Sequence, residues 1–336
     1  MGDIIEEKKK DKYCVLTCVL NEHCYLYHYI YYYQTLGFDK IYILQDRGQD
    51  NLEIDQADFT IEIQVLPVIY PPGYTNFNKV QYWNSTFMIQ KVIKEDWILL
   101  CDIDEYLYLH GKTIQQYMES LPMRENIGQA QFPWMCVEHY GEQQENILNS
   151  LNINTWHTND EVKSIVRRDV FIKAVDNHHN IIRNQLENKK IFTLHHQILT
   201  MHAKKRYPRF RYPDYYRQHP FMIHFHTRGL PNILVKILSY KYKDKAGLLE
   251  RVKLINNINQ EQFKAIRWNE KFKLIRFHKR AYMRIPKFEM ILPQIPNKYL
   301  IHYEKENKTL SELFQKNQII EGKFKKLLKN PDIIFS

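Results

Sequence analysis

The sequence predicts an α/β domain on a mostly parallel sheet with flanking helices, a Rossmann-like arrangement, followed by a mainly helical C-terminal extension. Three observations carry that expectation. Short β-branched apolar runs alternate with longer stretches whose apolar residues recur at helical spacing. Polar residues stand where those runs end. From roughly residue 245 onward the pattern is helix and loop, rich in Lys, Asn and Ile.

The elements follow in order. "YCVLTCVL" from Tyr13 reads as a buried strand ending at Asn21 and Glu22. "HCYLYHYIYYYQTLGF" repeats aromatics and Leu at helical spacing and stops at Gly37, a glycine C-cap. "KIYILQD" and "IEIQVLPVI" read as the second and third strands, and "KVQYWNSTFMIQKVIKE" as a helix. "WILLCDIDEYLYL", Trp97 to Leu109, reads as a fourth strand. Further strands are expected over 128–141 and 162–175, and one or two helices from Pro231. The expected organisation is a charged N-terminal segment over 1–12, a domain over 13–240, and a basic helical extension over 241–336.

Composition sets the bounds. In 336 residues, 44% are hydrophobic and 14% aromatic, enough for a full core and against disorder. The net charge of +10 favours anionic partners without choosing among them: nucleic acid, anionic lipid, nucleotide phosphates or acidic glycans. Five cysteines with no CxxC pair argue against a cysteine zinc site and for buried free thiols in a reducing compartment. The charged N-terminus has no apolar h-region, and nowhere do 18 apolar residues run together. The expectation is a cytoplasmic enzyme, of a virus or a bacterium or from a trimmed chain, with no transmembrane segment.

The functional signal sits in the fourth strand, whose apolar lead-in delivers Asp102, Asp104 and Glu105 to one place. On a continuous strand Asp102 and Asp104 share a face and Glu105 points away. Two carboxylates on one side repel each other and attract a divalent cation, and Mg²⁺ or Mn²⁺ on oxygen ligands keeps positions open for phosphates. The competing reading has these acids capping a turn or pairing with Lys and Arg. Asn21, Glu22 and Asp46 also fall at strand ends, where ligands of open α/β sheets bind. "MIHFHTRG" adds His224, His226 and Arg228, an imidazole suiting Mn²⁺ and a guanidinium suiting phosphate. "HHN" from His178 and "HH" at His195 and His196 are further candidates. "KKRYPRFRYPDYYR" mixes bases and aromatics; such a run can stack nucleobases or sugars, or form a solvated loop.

Taken together these segments resemble the GT-A glycosyltransferases, and among them glycosyltransferase family 92 and its family-2-like relatives. "DWILLCDIDEYLYL" is similar to their "W....DiDEFl". The span from Val15 to Asp50 resembles their first strand, N-E pair, helix and "G.d.iyiyD..S.D". "QFPWMC" resembles a "..W..fG" strand, "VKSIVRR" their "KsI.rP", and "MIHFHTRGLPNILVKI" their "i.HY.tkS.eef..K". The resemblance covers roughly residues 13–240 and implies a GT-A fold. It also implies metal-dependent transfer from a nucleotide sugar, a UDP-sugar first, to a glycan or other hydroxyl acceptor, with no nucleic acid as partner.

Carried onto this chain, it implies that Asp102 and Asp104 form the DxD motif holding Mn²⁺ (or Mg²⁺) and the diphosphate. His224 is then the further metal ligand, and Arg228 touches phosphate. Asn21 and Glu22 line the nucleotide pocket, and Asp46 meets the base or ribose. An inverting enzyme also needs a carboxylate base; Glu138 is the candidate, with Asp160 and Glu161 as alternatives. The chain departs from the pattern at Tyr27, where the family has Trp, at Gly229, where it has Ser, and in "WMCVEHYG". Two other functions fit the same residues: a metal-dependent nuclease or phosphatase, and a non-catalytic carbohydrate- or RNA-binding protein. A GT-A domain that binds donor without turnover is a further variant.

Overall fold

The structure is a computed structural model and describes residues 10–20, 22–46, 52, 54–73, 77–139, 144–154, 156–175, 179–187, 189–195, 214–228, 284–303, 308 and 311–312. The helices expected from Pro231, nearly all of the basic C-terminal extension, Asn21, His178, His196 and most of the run from Ala203 to Gln218 lie outside the described residues.

Four strands open the sheet: β1 (Tyr13–Val19), β2 (Lys40–Gln45), β3 (Glu62–Pro67) and β4 (Trp97–Leu100). They lie in the order β3-β2-β1-β4 and every pairing is parallel. Helix α1 (Leu26–Thr35) joins β1 to β2, and α2 (Phe77–Phe87), ending in a π turn over Met88–Val92, precedes β4. This is the expected strand–helix alternation. Gly37 closes α1 at φ 78°, a left-handed conformation that costs glycine little.

Alternation along β1 explains its unbroken apolar sequence. Tyr13, Val15 and Val19 enter a core on the α1 side, while Cys14 and Leu16 enter a second core with Val80 of α2 and Met88. A strand covered on both faces has no polar side to show.

The segment read as one fourth strand is two. β4 stops at Leu100, a turn covers residues 103–104, and β5 (Glu105–Tyr108) begins beyond it. The remaining strands that matter here are β6 (Ile127–His139), β7 (Trp156–Arg167), the hairpin β8 (Phe171–Ala174) and β9 (Asn180–Ile182), two small strands β10 (Gln185–Leu186) and β11 (Lys189–Lys190), β12 (Phe192–His195), β13 (Phe221–Arg228) and β14 (Arg284–Ile285). Beyond β4 the sheet continues β7-β6-β13-β5 with mixed polarity. Four strand spacings separate β4 from β5 along that path, about 19 Å if flat. The link from Leu100 to Glu105 reaches no more than about 18 Å fully extended, and it contains a turn. The sheet therefore curls, and the curl brings β13 beside the turn that carries the acids.

Two features fix this region. Buried Tyr32 and Tyr33 of α1 donate their hydroxyls to the carbonyls of Leu107 and Glu105, each at 2.9 Å, which covers the outer edge of β5. Residues 284–303 then return across the domain as a strap. β14 pairs with β7, and Ile285, Tyr299, Ile301 and Tyr303 are buried in the same core as α1. The strap lies beyond the boundary at residue 240 expected from sequence. No helix among the described residues is long and apolar enough to cross a membrane.

Candidate functional site at the carboxyl ends of the parallel strands

The chain leaves β4 through Cys101, whose thiol lies 2.9 Å from the Tyr29 hydroxyl, and folds over the acidic turn. The turn is closed reciprocally. The Asp102 N–H donates to Glu105 Oε2 at 2.7 Å, and the Glu105 N–H donates to the Asp102 carbonyl at 3.0 Å. Asp102 and Glu105 are thereby drawn to one side, and Asp104 is turned to the other. The shared strand face expected for Asp102 and Asp104 is replaced by this split, because the strand breaks between them.

Lys163 of β7 is the partner on the first side. Its Nζ lies 2.8 Å from Asp102 Oδ2 and 3.2 Å from Glu105 Oε2. The Gln81 amide donates to Asp102 Oδ1 at 3.2 Å. Burial alone would lower the Lys163 pKa, but the facing carboxylates of Asp102 and Glu105 outweigh it and hold the group above its ordinary value. Glu105 is fully enclosed, and burial pushes its carboxyl well above the usual range, while the Lys163 ammonium pulls the other way.

Asp104 faces His224 and Arg228. The Phe225 N–H donates to the Asp104 carbonyl at 2.9 Å, which seats the turn against β13. His224 Nε2 is 3.8 Å from Asp104 Oδ1, and an Arg228 nitrogen is 4.0 Å from Asp104 Oδ2. Arg228 also pairs with Glu22 and lies over the Tyr25 ring. The His224 ring packs against Trp134, centroids 4.0 Å apart. Asp46 ends β2, is buried, and accepts the Tyr70 hydroxyl.

At the carboxyl ends of β1 and β4, on the Asp102 and Lys163 side of the turn, lies a cavity of about 30 Å³ lined among others by Thr17, Cys18, Gln81, Asp102, Lys163 and Ser164. Cys18 marks the convergence: burial raises its thiol pKa first, and the charges of Asp46, Asp102 and Glu22 raise it further. Among the described residues, Glu22, Asp102, Asp104 and Glu105 gather around the two cations Lys163 and Arg228.

A divalent cation fits part of this site. Two ligands about 2.1 Å from one ion can stand up to about 4.2 Å apart. The 3.8 Å between His224 and Asp104 is too long for a hydrogen bond and falls inside that span. Asp102 stands differently, since both of its oxygens are held by protein donors. No group of three or more His, Cys, Asp or Glu side chains among the described residues is placed to hold a metal.

The structure thus brings together Glu22, Asp46, Asp102, Asp104, His224 and Arg228. Glu138 lies on β6 with its backbone opposite Thr227, and Asp160 and Glu161 lie on β7; the side chains of Glu138, Asp160, His195 and His226 are outside the described residues. Sequence reasoning missed Lys163, Gln81, Trp134 and Tyr70 as members of the site. Lys163 did leave a signal: a lysine inside the apolar run "VKSIV".

No protein-family model and no curated protein matches the chain. Among solved structures it is similar to one titled "Crystal Structure of a Mycobacterial Protein", at 12% identity and a TM-score of 0.28, over 48% of this chain and 56% of that one. The match thus spans little more than half of that chain's length, and its title states no activity.

Proposed function

We propose that the chain is a metal-dependent GT-A glycosyltransferase that moves a sugar from a nucleotide-sugar donor, a UDP-sugar first, to a hydroxyl of a glycan or glycoconjugate. One observation carries this reading. Glu22, Asp46, Asp102 and Asp104 stand near one another at the carboxyl ends of parallel strands, with Asp102 lining a small cavity there. Binding in such a crevice follows from the topology of parallel sheets. The "DIDE" resemblance and the His224–Arg228 pair downstream support the same chemistry.

The chain's own groups then divide the work. Asp46, fixed by Tyr70, meets the base or ribose. Asp104 and His224 hold Mn²⁺ or Mg²⁺. When bound, the cation supplies Lewis acidity to the departing diphosphate. Arg228, gripped by Glu22 and Tyr25, stands 4.0 Å from Asp104 and sets a positive charge beside it. Glu138, on the strand beside His224, is the candidate base that takes the acceptor proton in an inverting displacement.

The test is release of nucleoside diphosphate from a panel of nucleotide sugars with Mn²⁺ and oligosaccharide acceptors. Asp104→Ala should lower that release by at least about a hundredfold, the scale of an electrostatic catalytic group. Undiminished turnover in the variant overturns the reading. Cleavage of DNA or RNA under the same conditions, with no sugar transfer, would place the site among nucleases instead.

A further inference from the structure

The hairpin β8–β9 forms a two-stranded sheet of its own, and its two faces differ. On the inner face Phe171 is buried in the core with Met88 and Ile89, and Ala174 and Ile182 pack against that core. The Gln90 amide donates to the Ile172 carbonyl at 2.6 Å, and the Ala174 N–H donates to the Thr86 hydroxyl at 3.1 Å. The hairpin is therefore fastened to α2 and to the π turn that ends it. The outer face is open. Pairing sets Lys173 opposite Ile181, and a register shift between Phe171 and Lys173 makes Ile172 the extra residue of a bulge. Both residues of such a bulge oppose the same partner. Ile172, Val175 and Ile181 are 39%, 47% and 42% exposed, half of the six large apolar side chains exposed among the described residues. Single exposed apolar residues are ordinary; a group of them on one short hairpin marks a contact surface.

The charge around this group is positive. Lys173 and Arg183 are exposed beside it, and exposed Lys91 follows Gln90 in the adjoining turn. Asp176, the one acid in the sequence between Phe171 and Arg183, lies outside the described residues. Branched aliphatics flanked by Lys and Arg match a leaflet of anionic lipid: the aliphatics enter the boundary between headgroups and acyl chains, and the cations meet the phosphates. A second copy of the chain seated there would set like charges together, and a nucleic-acid backbone leaves the aliphatics unused. We propose that the outer face of β8–β9 docks on an anionic membrane surface, which the protein touches without crossing. Ala174 and Asn180 of the same hairpin line the cavity beside Asp102, so a bilayer seated on the hairpin lies next to the carboxyl-end site. The proposal stands apart from the glycosyltransferase reading and uses no residue of the acidic turn.

The test is co-sedimentation of the full chain with vesicles of phosphatidylcholine, alone or with about 30% phosphatidylserine. The parent should partition at least about tenfold more strongly to the anionic vesicles. Lys173→Glu, and separately the double variant Ile172→Ser with Ile181→Ser, should each lower that partition about tenfold, with thermal denaturation unchanged. Lys112→Glu makes the same change of charge at an exposed position on the α1 side, near Leu36. It should lower the partition by less than about twofold, because exposed charges far from the contact are screened. Equal losses in Lys173→Glu and Lys112→Glu would reduce the binding to net charge and overturn the proposal. Hairpin variants that bind like the parent, or a parent that binds no vesicle, would overturn it too. Should the serine pair melt early, the two glutamate variants decide alone. Sedimentation velocity covers the other occupant: a dimer split by the serine pair, with no uptake by vesicles, would assign the face to a second copy and sink the membrane proposal.

Discussion

The guanidinium carbon of Arg228 lies 3.7 Å from the centroid of the Tyr25 ring, with both side chains withdrawn from solvent. A buried cation on an aromatic face is worth about 2 kcal/mol when desolvated. Here it also holds the cation that pairs with Glu22 and stands 4.0 Å from Asp104. Tyr25→Phe should keep most of the contact. Tyr25→Leu should lower stability by about 2 kcal/mol, read from urea titrations, and should weaken donor binding as Arg228 loses its seat.

His28 gives a stability signature in acid. Its ring is enclosed by the Tyr106 hydroxyl at 3.1 Å and the Asn146 amide oxygen at 3.0 Å. Burial lowers its pKa from 6.5 to about 4, the Asn146 contact opposing. Between those two values the unfolded chain takes up a proton that the folded chain refuses. Stability therefore falls as pH drops from 6.5 towards 4, by roughly 3 kcal/mol from this group at most. His28→Gln should remove that slope, measured as the difference in unfolding free energy between pH 7 and pH 4.5.

Gly128 sits where a methyl group has no room. A Cβ there would stand 2.5 Å from Ile191, 2.8 Å from Ile182 and 3.0 Å from Val170. Three side chains would have to move together, so Gly128→Ala should destabilise by about 1–3 kcal/mol, the usual cost of overpacking. An unchanged denaturation midpoint would contradict this.

Tyr299 pins the returning strap. Its ring stacks on Tyr31 at 4.3 Å and packs on Phe59 at 5.2 Å, while its hydroxyl donates to the Asp58 carbonyl. Tyr299→Ala should cost about 3–5 kcal/mol, as for other large aromatics cut to Ala. If the strap opens locally before the domain unfolds, limited proteolysis should cut within 284–303 while the remaining core stays protected.

Much of this was readable in the chain. β1, α1, β2, β3 and α2 fall within a few residues of where apolar periodicity and Gly37 place them, since each is a local pattern buried in a predictable way. The break between β4 and β5 was not readable. "WILLCDIDEYLYL" is uniformly apolar on both sides of the acids, and only the pairing of β5 with β13, more than a hundred residues later, tells the chain to turn. The acids were legible as a cluster after an apolar strand, but the division of their charges was not. Which carboxylate meets Lys163 and which meets His224 depends on the curl of the sheet, and that is a long-range property. The strap was missed for the same reason. Residues 284–303 have little regular secondary structure, and Tyr299 becomes a core residue only because Tyr31 and Phe59 wait for it.

That strap decides how the protein can be cut. A fragment stopped at residue 240 would lose the partner of β7 at Trp156 and His157 and bare Tyr31 of α1 and Tyr25 just before it, which Tyr299 and Tyr303 cover. An open strand flank next to uncovered aromatic rings invites self-association. Such a piece should come out of expression as aggregate, while one carried through Tyr303 should stay in solution, so the minimal working unit spans nearly the whole length of the polypeptide.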